Sequence, residues 1–169
     1  CRAADIMCNG QQQQSYPVLW SFRRCPYAMR ARLAINASLC RVHLREIRLR
    51  DKPKEFVSAS PKATVPVLVQ PDGYVIDESR DIMIWALQQS DPRGWLRLWQ
   101  DDPAFCDAFL DRLDGPFKQQ LDRYKYASQF EPAIGQQNRQ DACVFLAEID
   151  QFLGSGTGYL SGLDFGVLD

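Results

Sequence analysis

Cys25 is followed directly by Pro26 within the stretch WSFRRCPYAMRAR, residues 20–32. A cysteine can be an inert core side chain or a nucleophile, and its neighbours decide between the two. Pro26 suits the first position of a helix, where its missing N–H costs nothing. The residues after it, up to about Leu39, are rich in the helix formers Ala, Leu, Met and Arg. Cys25 is thereby expected at the helix N-cap, where the positive end of the helix dipole favours a thiolate over a thiol. Arg23 and Arg24 add positive charge beside it. A dithiol redox motif would place a second cysteine at position 28, where this chain has Ala28. A redox cycle at Cys25 therefore has to borrow its second thiol from solution, and glutathione, a small acidic tripeptide, is the obvious donor.

The elements that must position this cysteine are legible around it. YPVLWSF (16–22) is an apolar, β-rich run suited to a buried strand, and it delivers the chain to Cys25. VHLREIRL (42–49) reads as a second strand, and KPKEFVSAS (52–60) as a short helix opened by a proline. VPVLVQ, PDG and YVID read as strand, tight turn and strand. ESRDIMIWALQQS (78–90) reads as an amphipathic helix with Ile82, Trp85 and Ala86 on one face. Strands alternating with helices predict a mixed sheet covered by helices. The end of a strand leading into a helix is where such sheets place ligands.

After DPRGW (91–95) no β-rich run remains, and residues 96–152 suit long helices. The expected core positions there include Phe105, Phe109, Leu110 and Leu113, then Cys143, Leu146, Ala147 and Ile149. DGPF (114–117) either interrupts the first long helix or starts another. The Gln-rich residues 1–15 read as a disordered leader.

Composition narrows the alternatives. The chain has 169 residues, 46% hydrophobic and 24% charged, the ordinary balance of a soluble globular protein. No membrane span and no secretory signal are expected, so the expected location is cytoplasmic. The six cysteines are scattered, no CxxC occurs and His43 is the sole histidine, so neither a disulfide framework nor a zinc site is expected. A Ser-His-Asp hydrolase would rest on His43, which lies in a strand-like segment where a sheet-face role is the simpler reading. Residues 23–54 hold ten Lys or Arg against Glu46 and Asp51, while residues 91–169 hold thirteen acids against seven Lys or Arg. The basic stretch is either a solvated face or a local positive field for a small anion. Nucleic acid is the weaker reading, because exposed aromatics are not interleaved with the cations.

CPYAMRARLAI (25–35) resembles the active-site helix of glutaredoxins and of the cysteine-type glutathione S-transferases, the omega-like and related bacterial classes. TVPVL (64–68), DESRDI (77–82) and RDKP (50–53) resemble further motifs of that family in the expected order. The resemblance implies a thioredoxin-like α/β domain (βαβ-α-ββα) over 16–91, followed by a shortened all-α domain over 96–160 and a tail over 161–169. It implies Cys25 as the catalytic residue, with no metal. It implies a cis bond at Pro66, Val65 offering backbone groups to the cysteinyl part of glutathione, and Glu78 and Ser79 holding the γ-glutamyl part. Lys52 would approach the glycyl carboxylate, and Phe22, Arg24 and Tyr27 would border the site. Glu78 also reads simply as a helix-capping acid. The implied partners are glutathione and a small electrophile or disulfide, and a homodimer. YLSG (159–162) followed by LDFGVLD stops short of the family's next helix, which implies a truncated helical domain and raises a non-catalytic binding or interaction module as the alternative.

Overall fold

The structure, a computed structural model, describes residues 16–126 and 132–169. The leader expected over 1–15 lies outside the described residues, as do residues 127–131 of the helical region. The chain divides into two compact units, between Ile82 and Met83.

The first unit carries a four-stranded sheet in the order β2-β1-β3-β4. Strand β1 is Val18–Ser21, with Leu19 and Trp20 buried, and it leads through a short turn into α1, Pro26–Ala37. Ala28, Ala31, Ala34 and Ile35 form the buried stripe of α1, at the three-and-four spacing of one helix face. Three of the four are alanines, which let the helix backbone approach its neighbours closely. Ala28 belongs to this buried stripe. Strand β2, His43–Glu46, pairs with β1 in parallel, as expected of a strand–helix–strand unit. It is shorter than the predicted 42–49, because Ile47 already turns into the core and the next residues form a turn closed by an Arg48–Asp51 bridge.

Helix α2, Lys54–Ala59, follows Pro53 and buries only Phe56. Strands β3 (Val67–Val69) and β4 (Val75–Ile76) form the predicted antiparallel hairpin, with β3 also antiparallel to β1. Gly73 takes a φ of +88° in its turn, a conformation that suits glycine, and the Asp72 carboxylate accepts from the Tyr74 N–H at 2.9 Å. Trp20, Ile47, Phe56 and Val67 make one core cluster, with Phe22 and Val65 packed against it. Helix α3, Ser79–Gln89, begins in this unit and continues into the second.

The second unit is helical. Asp91 caps the turn before α4 (Arg97–Asp101) by accepting from the N–H groups of Trp95 and Leu96 at 2.9 and 2.8 Å. Asp102 caps α5, Pro103–Arg112, through the Phe105 N–H. LDGPF (113–117) forms a wide π-type turn that carries the chain on into α6, Lys118–Lys125. DGPF therefore distorts the long helix without ending it, since Pro116 lacks the N–H that a regular turn would use. Helix α7, Pro132–Phe152, packs through Ala142 and Phe145. The ring of Phe145 lies 5.6 Å from that of Phe109 and 5.1 Å from that of Phe117.

The face of α7 differs from the sequence expectation. Cys143, Leu146 and Ala147 are exposed, while Asn138, Ala142 and Phe145 are buried. The helix carries apolar residues on two sides, and the Phe109–Phe145–Phe117 contact selects the second of them. The glycine-rich tail docks through Val167 and Leu168, and the Val167 N–H donates to the Trp95 carbonyl at 3.0 Å.

Candidate functional site

The turn between β1 and α1 sets the position of Cys25. Cys25 is the N-cap of α1, with extended backbone (φ −80°, ψ 120°), and Pro26 opens the first turn. The Cys25 N–H donates to the Phe22 carbonyl at 3.0 Å, and the Met29 N–H donates to the Cys25 carbonyl at 2.9 Å. The half-buried sulfur makes no capping bond. Its Sγ instead lies 3.6 Å from the carbonyl oxygen of Val65, in the loop that leads into β3. Val65 precedes Pro66, and the bond between them is cis. Cys25, Val65 and Pro66 are thus brought together.

Two residues that the sequence reading passed over hold this turn. Arg32, two turns along α1, donates to the buried Ser21 hydroxyl at 2.6 Å and to the carbonyls of Phe22 at 3.4 Å and Arg23 at 3.3 Å. The Glu46 carboxylate accepts from the Arg23 N–H at 2.7 Å, which ties the turn to β2. A planar guanidinium suits the task, because one group reaches three acceptors. The available sequence signal was an arginine on the helix that otherwise buries alanines. Replacing Arg32 by alanine strands the buried Ser21 hydroxyl and loosens the turn. An expected loss of about 1–3 kcal/mol in urea unfolding, with slower alkylation of Cys25, checks this. Unchanged unfolding would show that the turn holds itself.

Glu78 and Ser79 lie at the start of α3, and both are engaged. The Lys62 ammonium bridges Glu78 at 2.8 Å and Asp77 at 3.2 Å, and the Ser60 hydroxyl donates to Asp77 at 2.8 Å. Hydrogen bonds from Ser60 and then Lys62, against some desolvation, hold the Asp77 carboxyl below its ordinary value. Hydrogen bonds to Glu78 and then Asp77 raise the Lys62 ammonium above its own. Ser79 is buried, and its hydroxyl accepts from Arg30 Nε at 3.0 Å and Nη2 at 2.7 Å. That leaves the hydroxyl its own proton to donate. Arg30 also lies over the Tyr27 ring, 4.9 Å from its centroid. Arg30 therefore links α1 to the start of α3.

Lys52 is exposed in the segment before α2, and no hydrogen bond or ion pair among the described residues ties it to this cluster. Lys62 is the lysine that pairs with Glu78. Arg24 is exposed, and Phe22 and Tyr27 are half-buried beside the turn. His43 is exposed on β2, with its ring edge-on to Tyr16 at 5.7 Å. Among the described residues, no group of three His, Cys, Asp or Glu side chains could hold a metal ion.

A cysteine capping the first helix, facing the backbone of a residue that precedes a cis-proline, on a β2-β1-β3-β4 sheet, defines a thioredoxin-like domain with a thiol site. Residues 19–94 match the family model "Glutathione S-transferase, N-terminal domain". Glutathione S-transferase omega-1 from Sus scrofa is 39% identical over 61 residues, which cover 36% of this chain and 25% of that protein. The omega-1 protein of Rattus norvegicus is 34% identical over 85 residues, half of this chain and 34% of that protein. These matches thus span a quarter to a third of the curated relatives' length. The crystal structure of glutathione transferase Omega 3C from Trametes versicolor shares the fold, with a TM-score of 0.78 and 21% identity over 93% of this chain and 70% of that one. Residues 19–94 thus resemble the N-terminal domain of glutathione S-transferases, and the relatives that align with this chain include omega-1 proteins.

Proposed function

We propose that this chain is a glutathione-dependent thiol transferase with Cys25 as its nucleophile. The observation that carries the reading is the 3.6 Å approach of the Cys25 sulfur to the carbonyl of Val65, next to the cis bond to Pro66. A peptide cysteine lying along the Val65 backbone would have its sulfur beside Cys25. Ser79 and Glu78 would receive the γ-glutamyl end, with Arg30 contributing positive charge beside the Ser79 hydroxyl.

In the proposed reaction the Cys25 thiolate attacks the glutathione sulfur of a mixed disulfide. The Cys25–glutathione S–S bond forms as the original S–S bond breaks, and the other thiol leaves as a thiolate that takes a proton from water. A second glutathione thiolate then attacks the sulfur bound to Cys25. This releases oxidised glutathione and restores the Cys25 thiolate. Ala28, buried in α1, supplies no resolving thiol, so the second glutathione is required.

Exposure to oxidised glutathione, followed by intact-mass and peptide analysis, tests the site. A single glutathione adduct on Cys25 is the expected result. An adduct confined to Cys40 or Cys143, or none at all, would overturn the reading. Cys106 serves as an internal control, because burial pushes its thiol up to about 11 and keeps it protonated near neutral pH. A second reading is a glutathione-binding module without catalysis. That reading predicts glutathione binding without turnover.

A further inference from the structure

Two acids and one lysine meet where α3 begins. The Lys62 ammonium donates to Glu78 at 2.8 Å and to Asp77 at 3.2 Å, and among the described residues it is the cation that pairs with either acid. One positive and two negative charges leave this cluster with one negative charge in surplus. A second ammonium group therefore suits the cluster, with one cation for each carboxylate.

The two contacts of Lys62 are not equivalent. Asp77 is fixed, because the buried Ser60 donates its hydroxyl to one carboxylate oxygen at 2.8 Å while Lys62 takes the other. The Glu78 carboxylate has only Lys62 among the described residues, and its side chain is 63% exposed against 28% for Asp77. Ion pairs that stand in solvent in this way are weak and exchange readily. Lys62 can thus give up Glu78 and keep Asp77, so its ammonium group is never stranded. Glu78 is also the group proposed above to receive the γ-glutamyl end of glutathione, and that end carries an α-ammonium group.

We propose that Lys62 sets the affinity for glutathione by competing with the ligand's α-ammonium group for Glu78. In the free chain Lys62 occupies Glu78. On binding, the ligand's ammonium group takes Glu78 and Lys62 retires to Asp77. This role rests on the glutathione reading of the site, and adds to it a residue that weakens binding instead of strengthening it. A site whose acceptor is free for only part of the time binds with an affinity reduced by that fraction. For an exchange enzyme the consequence is faster release. The second half-reaction frees oxidised glutathione, which carries the same γ-glutamyl group, and a product held less tightly leaves sooner.

The test uses the full chain with a phosphine reductant present, so that no disulfide forms. Salt at about 0.15 M screens the long-range effect of removing one surface charge. Isothermal titration then measures binding of reduced glutathione and of glutaryl-cysteinylglycine, the same molecule without its amino group. Lys62→Met is expected to tighten glutathione binding by about two- to sixfold. The analogue has no ammonium group to compete, and is expected to bind wild type and variant alike. Lys62→Arg keeps a cation at Glu78 and should restore the wild-type affinity. In a Glu78→Gln background, Lys62→Met should have no further effect on glutathione binding. Unchanged or weaker glutathione binding by Lys62→Met would overturn the proposal. So would equal tightening of both ligands, which would make Lys62 a restraint on the loop before Val65 and not a competitor. Failure of the glutathione reading looks different: the wild-type chain would bind no glutathione and form no adduct on Cys25, which would remove reading and proposal together.

Discussion

Cys25→Ser is expected to reduce exchange between glutathione and a glutathione mixed disulfide by about 1,000-fold, to the uncatalysed background, a barrier increase of ~4 kcal/mol. The chemical ground is simple. The first half-reaction stores the glutathionyl group as an S–S bond to the protein, and a serine oxygen forms no such bond. The substitution is nearly isosteric and leaves the Pro26 start of α1 in place, so the fold should survive it. Binding of reduced glutathione, followed by thermal shift, should persist, because the groups proposed to hold the peptide are the Val65 backbone, Glu78 and Ser79. Loss of exchange with retained binding is the signature of a nucleophile. Equal exchange by wild type and variant would remove Cys25 from the mechanism, and retained binding alone would then leave the non-catalytic module standing. Cys40→Ser and Cys143→Ser serve as controls and should leave exchange unchanged.

Local chemistry decided what the sequence revealed of this site. The cysteine–proline pair fixes an N-cap and a helix start within two residues, and the observed α1 begins at Pro26. The hairpin was equally plain, since PDG between β-rich runs specifies its own turn. Other features depend on contacts distant in sequence and were not legible. Arg32 reaches Ser21 across 11 residues, Arg30 reaches Ser79 across 49, and Lys62 reaches Glu78 across 16. Each arginine or lysine looked like solvated charge until the fold gave it an acceptor. Lys52 illustrates the converse, a lysine in a motif-like stretch that no described contact joins to the cluster. The α7 face shows the limit of periodicity: with apolar residues at Cys143, Leu146 and Ala147 as well as Ala142 and Phe145, the pattern permitted two answers, and aromatic packing chose one.

Phe56→Ala is expected to destabilise the first unit by about 3–5 kcal/mol, a large part of the roughly 5–15 kcal/mol that holds a domain folded. Helix α2 has six residues, too few to be stable alone, and Phe56 is its only buried side chain. The ring packs against Trp20, with centroids 5.8 Å apart, and joins Ile47 and Val67 in the core cluster. Removing it leaves a cavity and also frees α2. The consequence reaches the candidate site through the chain that follows. Ser60 ends α2 and holds Asp77, Lys62 bridges Asp77 and Glu78, and Ala63 leads to Val65 and Pro66 opposite the Cys25 sulfur. Denaturant unfolding should therefore show the stability loss, and adduct formation with oxidised glutathione should slow in the same variant under folded conditions. Phe56→Leu, which keeps most of the buried volume, should recover most of both. A stability loss without slower adduct formation would mean that the Val65–Pro66 turn is held by the sheet alone. A parallel loss of both would identify Phe56 as the anchor that aligns the Val65 carbonyl with the sulfur.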